Sequence, residues 1–315
     1  MVMLVTGASG FIGRRLARPG DRRLARCARG LPDEVQADIL DTVALQRACQ
    51  GVSTVVHCAG MSDADSVESE RLWAVNTEGT RRLLRAAINA GVERFVFLSS
   101  VKAMAKPGPE CVDEDWPGEP TTAYGRSKRA AEAAVIEAGA RHGLHVTVLR
   151  LPPVYGRGGR GGNLARLIHL IERGWLPPLP ETGNRRSLIH VQDVVAAVHK
   201  VIGSPQASGR IYIVADPVAY SSRQLYEAIR TVLAERPGSR LARPVVSCTI
   251  PAAGWRLVGR LGDALEALSR RSLPVNSDVV SRLLESACYS PARIQQEIGF
   301  RTQIDLMTGL REMLL

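Results

Sequence analysis

The first thirteen residues constrain this chain more than any other feature. Met3-Leu4-Val5-Thr6 is a short β-forming run that leads directly into Thr6-Gly7-Ala8-Ser9-Gly10-Phe11-Ile12-Gly13. A strand that ends in this glycine spacing and opens a helix makes a turn whose backbone N–H groups converge on a pyrophosphate. Gly7 permits the tight turn, Gly10 lets the main chain approach the phosphates, and Gly13 allows close helix–strand packing. Ser9, Phe11 and Ile12 stand between them and join the three glycines as candidate dinucleotide-binding residues. Such a turn belongs to an open parallel sheet, so strands should alternate with helices along the rest of the chain.

They do. Met3–Thr6, Arg22–Cys27, Thr54–Cys58, Arg94–Ser99 and His145–Arg150 read as strands, with amphipathic helices such as Thr77–Ala90 and Ser127–Arg141 between them. The strands are nearly all apolar, as helices on both faces of a sheet require. Pro19-Gly20 ends the first helix early. After Arg150 the pattern loosens into a glycine/arginine loop, Gly156–Gly162, and a proline-rich stretch at Pro177-Pro178 and Pro180. Leu188–Val191 and Ile211–Val214 read as further strands. Pro251–Arg271 and Ser277–Ser286 read as helices, with Asp278, Arg282 and Glu285 on the polar side of the second. The expected fold is α/β: a Rossmann-like doubly wound parallel sheet with a smaller C-terminal substrate-binding region. Residues 1–155 should form the dinucleotide-binding domain and 156–315 mainly the substrate region, with about 187–230 returning to the first.

At 315 residues and 45% apolar content, a chain buries about three quarters of its unfolded surface and needs no disulfide or metal staple. The net charge of +10 raises the question of a polyanionic partner. Only four basic residues are lysines (Lys102, Lys106, Lys128, Lys200), the arginines are scattered, and aromatics make up 4%. Clustered charge and stacking platforms are what nucleic acid demands, so no nucleic-acid partner is expected. No apolar run reaches the ~20 residues of a bilayer span, and the N-terminus has no basic n-region or cleavage site. The expectation is a cytoplasmic protein without membrane insertion. Cys27, Cys49, Cys58, Cys111, Cys248 and Cys288 form no CxxC pair and read as small hydrophobes in a reducing compartment. The histidines lack partnering cysteines or acids at ligand spacing, so no metal is expected.

Tyr124 and Lys128 stand four residues apart, on one face of a helix. A phenol ordinarily titrates near 10, too high for proton exchange at neutral pH. A neighbouring ammonium favours the phenolate and brings it into range as a general acid/base. Ser99-Ser100 closes the preceding strand and can place a hydroxyl on the same carbonyl oxygen. Asn76, in Asn76-Thr77-Glu78-Gly79-Thr80, reads either as a brace beneath the site or as a helix N-cap. The second strand runs Arg26-Cys27-Ala28-Arg29, with no acid where one would bind the ribose hydroxyls of NAD. Arginine forks onto phosphate, so Arg29 points to NADPH (NADP in its oxidised form), with NAD as the alternative.

The glycine octet with Tyr124 and Lys128 resembles the extended short-chain dehydrogenase/reductase family, also called the NAD-dependent epimerase/dehydratase family. The resemblance implies Ser100, Tyr124 and Lys128 as catalytic residues, with Asp38 and Ile39 at the adenine. It places Cys58, Ala59, Gly60, Asn76, Pro152 and Val154 along the cofactor, which Tyr124 and Lys128 also touch. Ser99-Ser100-Val101-Lys102, Leu149–Gly156, Gly162-Asn163 and Asn184-Arg185-Arg186-Ser187-Leu188 are similar to the nucleotide-sugar branch. Within it the chain looks most like bacterial UDP-2-acetamido-2,6-dideoxy-hexos-4-ulose reductases of surface polysaccharide synthesis. That likeness implies a UDP-sugar substrate, its diphosphate held by Asn163 and Arg186, contact with Ser100 and Tyr124, and a homodimer. The reaction so implied is NADPH-dependent reduction of the 4-keto group of a UDP-linked 6-deoxy-N-acetylhexosamine. Two alternatives use the same Tyr–Lys pair: a UDP-hexose or UDP-N-acetylhexosamine 4-epimerase with bound NAD, and a steroid- or flavonoid-type carbonyl reductase. Ile189-His190-Val191-Gln192-Asp193 reads closer to the epimerases.

Overall fold

The computed structural model describes residues 2–27, 30, 33–62, 69–159, 162–238, 250–269 and 276–315. In the first half the strands are β1 (Met3–Thr6), β2 (Arg22–Ala25), β3 (Glu34–Gln36), β4 (Thr54–His57) and β5 (Arg94–Ser100). They continue as β6 (Cys111–Val112), β7 (His145–Leu151), β8 (Val154–Tyr155), β9 (Ile189–His190), β10 (Arg210–Ile213) and β11 (Cys288–Tyr289). The helices begin with α1 (Gly13–Leu16), α2 (Thr42–Cys49), α3 (Ser69–Trp73), α4 (Gly79–Asn89), α5 (Ala123–His142) and α6 (Gly162–Glu172). They continue with α7 (Val191–Ile202), α8 (Ser222–Ala234), α9 (Ala252–Ser269), α10 (Ser277–Leu284), α11 (Ala292–Ile298) and α12 (Leu306–Leu314). None that is described is long and apolar enough to cross a membrane.

Seven parallel strands form one sheet in the order β10-β7-β5-β4-β1-β2-β3. This is the doubly wound arrangement expected, and strand alternation divides its core into two layers. Leu4, Leu24, Val55, Phe95, Phe97 and Val146 turn toward α2, α4 and α5. Val5, Val56, Val96, Leu98 and Leu149 turn the other way, toward α7 and α11. Both faces are thus dry, which is why the strands read as continuous apolar runs. A third core lies apart, where α6, α8 and α12 gather Leu167, Ile171, Leu225, Ile229 and Leu310 around Tyr155 and Trp255.

α5 matters most to the site, and the sequence caps it at both ends. The Thr122 hydroxyl accepts from the Gly125 N–H at 3.0 Å, and Gly143 closes the helix at φ 66°. The structure differs from expectation in three places. β3 is a three-residue edge strand, Glu34-Val35-Gln36, too short and too polar to carry a periodic signal. The first turn of the helix expected at Thr77 is instead a π-turn over Ala74–Glu78 between α3 and α4. Cys111 and Cys288 are joined as a disulfide, overturning the reading of all six cysteines as reduced. They sit opposite one another on the paired strands β6 and β11, with Cα atoms 4.5 Å apart. A separation of 177 residues hides that proximity from any reading of spacing. Asp278 and Arg282 have side chains outside those described, and Glu285, beyond the end of α10, pairs with Lys106.

The disulfide closes a long loop, so Cys111→Ser should lower the urea-unfolding free energy by about 2–4 kcal/mol without reductant. With dithiothreitol present the wild type and the variant should coincide. A deficit that persists under reductant would assign the loss to packing instead.

Candidate active site

The glycine turn lies at the carboxyl end of β1. Gly7 adopts φ +66°, and a Cβ there would stand 2.7 Å from the Ala59 backbone nitrogen at the end of β4. Only glycine lets these two strand ends approach so closely. α1 is four residues long, because Ala17 turns extended just before Pro19-Gly20. The main-chain N–H groups of the turn, rather than a long helix dipole, therefore supply the attraction for an anion. Arg14 and Arg15 lie over the Phe11 ring at 5.7 and 4.7 Å. Both also donate to the glycine/arginine loop, Arg14 to the Gly158 carbonyl at 3.3 Å and Arg15 to that of Arg157. This loop is docked across the turn by its carbonyl oxygens.

Beneath the turn runs a one-way chain of hydrogen bonds. Thr80 Oγ1 gives its only proton to the Asn76 carbonyl at 2.6 Å, so His57 Nε2, 2.9 Å away, must be the donor to Thr80. His57 Nδ1 then accepts from the Thr6 hydroxyl at 2.7 Å, and Thr6 Oγ1 accepts from the Ala59 N–H at 3.2 Å. The imidazole is fully buried and neutral; desolvation, helped by the Lys128 charge, lowers its pKa to about 3. Asn76, held in the π-turn, accepts from the Met61 N–H at 2.8 Å and donates to the Met61 carbonyl and to Ser127 Oγ, at 3.1 and 3.0 Å. It sits inside the π-turn and not at a helix N-cap, its side chain tying Met61 to Ser127, and π geometry of this kind is common at functional positions.

Ser127 passes the chain to the start of α5, donating to the Tyr124 carbonyl at 2.8 Å. Tyr124 is half-buried there, and Lys128 one turn later is buried. Lys128 Nζ donates to the Leu98 carbonyl at 3.0 Å and lies 4.7 Å from the Phe97 ring centre. Desolvation lowers its pKa to about 8, against the opposing pull of Glu132 and Cys58. Ser100 ends β5, and its hydroxyl caps the short turn Val101–Ala103 by accepting from the Lys102 N–H. That turn meets α5 directly: a Cβ on Gly125 would collide with the Lys102 carbonyl. A bare Cα at Gly125 is therefore what brings the Ser100 segment against the Tyr124 end of α5. Gly60, at the end of β4, faces the same group; a Cβ there would stand 3.0 Å from Asn76 Oδ1 and 3.4 Å from Lys128 Nζ.

One more turn along α5, Glu132 is 2% exposed. It accepts from Ser99 Oγ at 2.6 Å and from Arg150 Nε and Nη2 at 3.1 and 2.8 Å. Arg150, also 2% exposed, gives Nη1 to the Glu114 carbonyl at 3.0 Å. Sequence reasoning passed over this pair, although Glu132 continues the four-residue spacing of Tyr124 and Lys128. It also passed over Thr6, His57 and Thr80 as a unit, because nothing in their spacing predicts a shared chain.

The other candidates divide. Ile39 is buried against Gly79, and exposed Asp38 accepts from the Leu40 N–H at 2.9 Å. Cys58 and Ala59 are half-buried, and burial pushes the Cys58 thiol up to about 12. Pro152 is buried just past β7, and Val154 pairs with Ile189. Arg186 bridges to Tyr220 and Ala287, and its guanidinium donates to the Glu285 carbonyl at 3.1 Å. Arg29 and the side chain of Asn163 lie outside the described residues.

Comparison with known proteins gives consistent relatives. The NAD dependent epimerase/dehydratase family matches residues 3–215. A UDP-glucose 4-epimerase of Vibrio cholerae is 28% identical over 320 residues, covering 95% of this chain and 93% of that protein. An N-acetyl-alpha-D-glucosaminyl-diphospho-ditrans,octacis-undecaprenol 4-epimerase of Escherichia coli O157:H7 is 26% identical over 322 residues, covering 98% and 92%. Among solved structures, MoeE5 in complex with UDP-glucuronic acid and NAD is 26% identical with a TM-score of 0.73, covering 100% of this chain and 98% of that one.

The His57 chain has a signature in stability against pH. With the folded pKa near 3 and an ordinary unfolded value of 6.5, the unfolded chain binds the proton first. The stabilisation is complete above about pH 6.5 and fades as pH falls toward 3. Between pH 7 and pH 5 the wild type should lose about 2 kcal/mol more unfolding free energy than His57→Gln, by urea denaturation. Parallel losses in the two proteins would mean that the histidine is protonated in the fold.

Proposed function

The chain belongs to the NAD dependent epimerase/dehydratase family, and on that footing we propose that it interconverts the C4 epimers of a UDP-linked hexose or N-acetylhexosamine. The observation that carries this reading is the grouping of Tyr124, Lys128 and the Ser100 segment at the carboxyl end of β5, beside the glycine turn. The two relatives named above, each matching over nearly its whole length, are 4-epimerases, which favours that reaction over the other oxidoreductions open to the same residues.

The residues present fit a nicotinamide dinucleotide. A Cβ at Gly7 would overlap the Ala59 main chain, so glycine there keeps the turn pressed against the end of β4 with its backbone bare toward a ligand, and a Cβ at Gly60 would crowd Asn76 and Lys128. The turn from Gly7 to Gly13 would hold the diphosphate through main-chain N–H groups, and Lys128 would hold the nicotinamide ribose. When bound, the dinucleotide supplies reversible hydride acceptance. The Tyr124 phenolate oxygen takes the proton of the C4 hydroxyl and later returns it. The Ser100 hydroxyl donates a hydrogen bond to that same sugar oxygen. The Lys128 ammonium offsets the charge on the phenolate, and the low local polarity around it strengthens that effect. In this reading Asn163 and Arg186 take the UDP diphosphate, residues 156–315 mainly form the substrate side, and the enzyme is a homodimer packed through α4 and α5.

A second reading rests on one specific feature. The sequence Arg26-Cys27-Ala28-Arg29 that follows β2 in the chain contains no acid, which favours NADP(H) and hence a 4-keto reductase of a UDP-linked 6-deoxy-N-acetylhexosamine. Product analysis with UDP-glucose or UDP-N-acetylglucosamine and no added reductant decides between the two. Appearance of the 4-epimer without net change in reduced-nicotinamide absorbance supports the epimerase. Stoichiometric NADPH consumption with the 4-keto sugar, and no epimer, overturns it. In the second case Arg29→Asp should weaken NADPH far more than NADH. In either case Tyr124→Phe should leave dinucleotide binding intact and lower kcat by about 10²–10⁴-fold.

A further inference from the structure

We propose that Glu132, clamped by Arg150, is a positioning residue for the reaction: it holds Lys128 as the ammonium and fixes the strand end that carries Ser100. The proposal rests on the reading of Tyr124 and Lys128 as the working pair and adds to it a buried charge that neither of them supplies.

Three features single Glu132 out. It lies one turn beyond Lys128 on α5, so Tyr124, Lys128 and Glu132 form a single stripe along the helix, from which Lys128 and Glu132 bond to β5. It accepts from Ser99, the residue before Ser100, while Ser99 and Arg150 are direct neighbours across β5 and β7. One carboxylate therefore ties together the helix of the phenol and ammonium, the strand of the serine, and the next strand of the sheet. Lys128 Nζ donates not to that carboxylate but to the Leu98 carbonyl.

Charge balance gives the pair its consequence. The titratable groups acting on Lys128 are His57 at the end of β4, Cys58 just beyond it and Glu132 from its own helix, where Tyr124 stands one turn before it. Arg150 of β7 stands behind Glu132. His57 is neutral in its hydrogen-bond chain, and the Cys58 thiol is pushed up to about 12, so neither contributes charge at neutral pH. Glu132 is then the anion that opposes the desolvation of Lys128. Arg150 occupies both carboxylate oxygens, which stops Glu132 from drawing Lys128 away from the Leu98 carbonyl.

Four lysines in the chain make a direct test simple. Protein labelled with ¹³Cε-lysine gives four signals, and Lys128→Met identifies the one that matters. In the wild type this signal should titrate near 8. In Glu132→Gln it should titrate about one unit lower or more, a tenfold or greater loss of ammonium at a given pH. Arg150 left unpaired threatens folding of that variant, so Glu132→Gln/Arg150→Met, which removes both charges at similar volume, is measured beside it and should shift the same way. The alkaline limb of the kcat/KM profile should move to lower pH in step with the signal, and Glu132→Asp should restore part of it. A Lys128 signal unmoved in a folded variant would reduce the pair to structural support and overturn the proposal. A shifted signal in a protein that turns over no nucleotide sugar would instead overturn the reading of the reaction.

Discussion

Keeping charge out of water is the constraint around which the centre of this molecule is arranged. Lys128, Glu132 and Arg150 are all buried where α5 crosses β5 and β7. Burying any one of them alone would be strongly unfavourable. The arrangement tolerates them because each is met by a specific partner: Leu98 for Lys128, Ser99 and Arg150 for Glu132, Glu114 for Arg150. The three charges sum to one positive charge, placed beside a phenol. The phenolate and nucleotide diphosphate of the proposed reaction would both gain from that sign. The neighbouring imidazole is kept neutral, so the surplus stays on the lysine.

Much of the architecture was legible because it follows from period and punctuation. A strand buried on both faces is mostly apolar, and β1, β4, β5 and β7 announce themselves that way despite single buried polar residues such as His57 and Arg150. The turn from Gly7 to Gly13 fixes the topology of whatever follows, and Tyr124 and Lys128 share a face by arithmetic. What stayed hidden depends on geometry that no local pattern records. β3 is too short for a period, the π-turn leaves no residue signature, and Cys111 and Cys288 meet only through the pairing of two strands far apart in the chain. Glu132 sat in plain view at the right spacing. Its meaning appears only when Arg150 arrives from another strand.

The arginine content also acquires a structural account. Arg22 reaches the carbonyls of Ala48 and Gln50, each at 2.8 Å, and closes the end of α2. Arg236 reaches the Leu314 carbonyl through two nitrogens at 3.0 and 2.7 Å, and Arg223 that of Leu179 at 3.1 Å. A planar guanidinium can satisfy several orphan carbonyls at once, which an ammonium does less well. Part of the basic surplus therefore serves to finish helix ends and loops. The net charge by itself says little about partners.

The π-turn at Ala74–Glu78 makes chain length, beside the identity of Asn76 and Thr77, a guarded quantity between α3 and α4. Its extra residue is what aims Asn76 at Met61 and Ser127. Dropping a single residue there would restore ordinary helical winding and swing Asn76 by about 100°. Tolerance in this stretch should therefore be lopsided: exchanges at the partly exposed Ala74, Val75 and Glu78 are absorbed, while a one-codon deletion is felt at Asn76 and its partners.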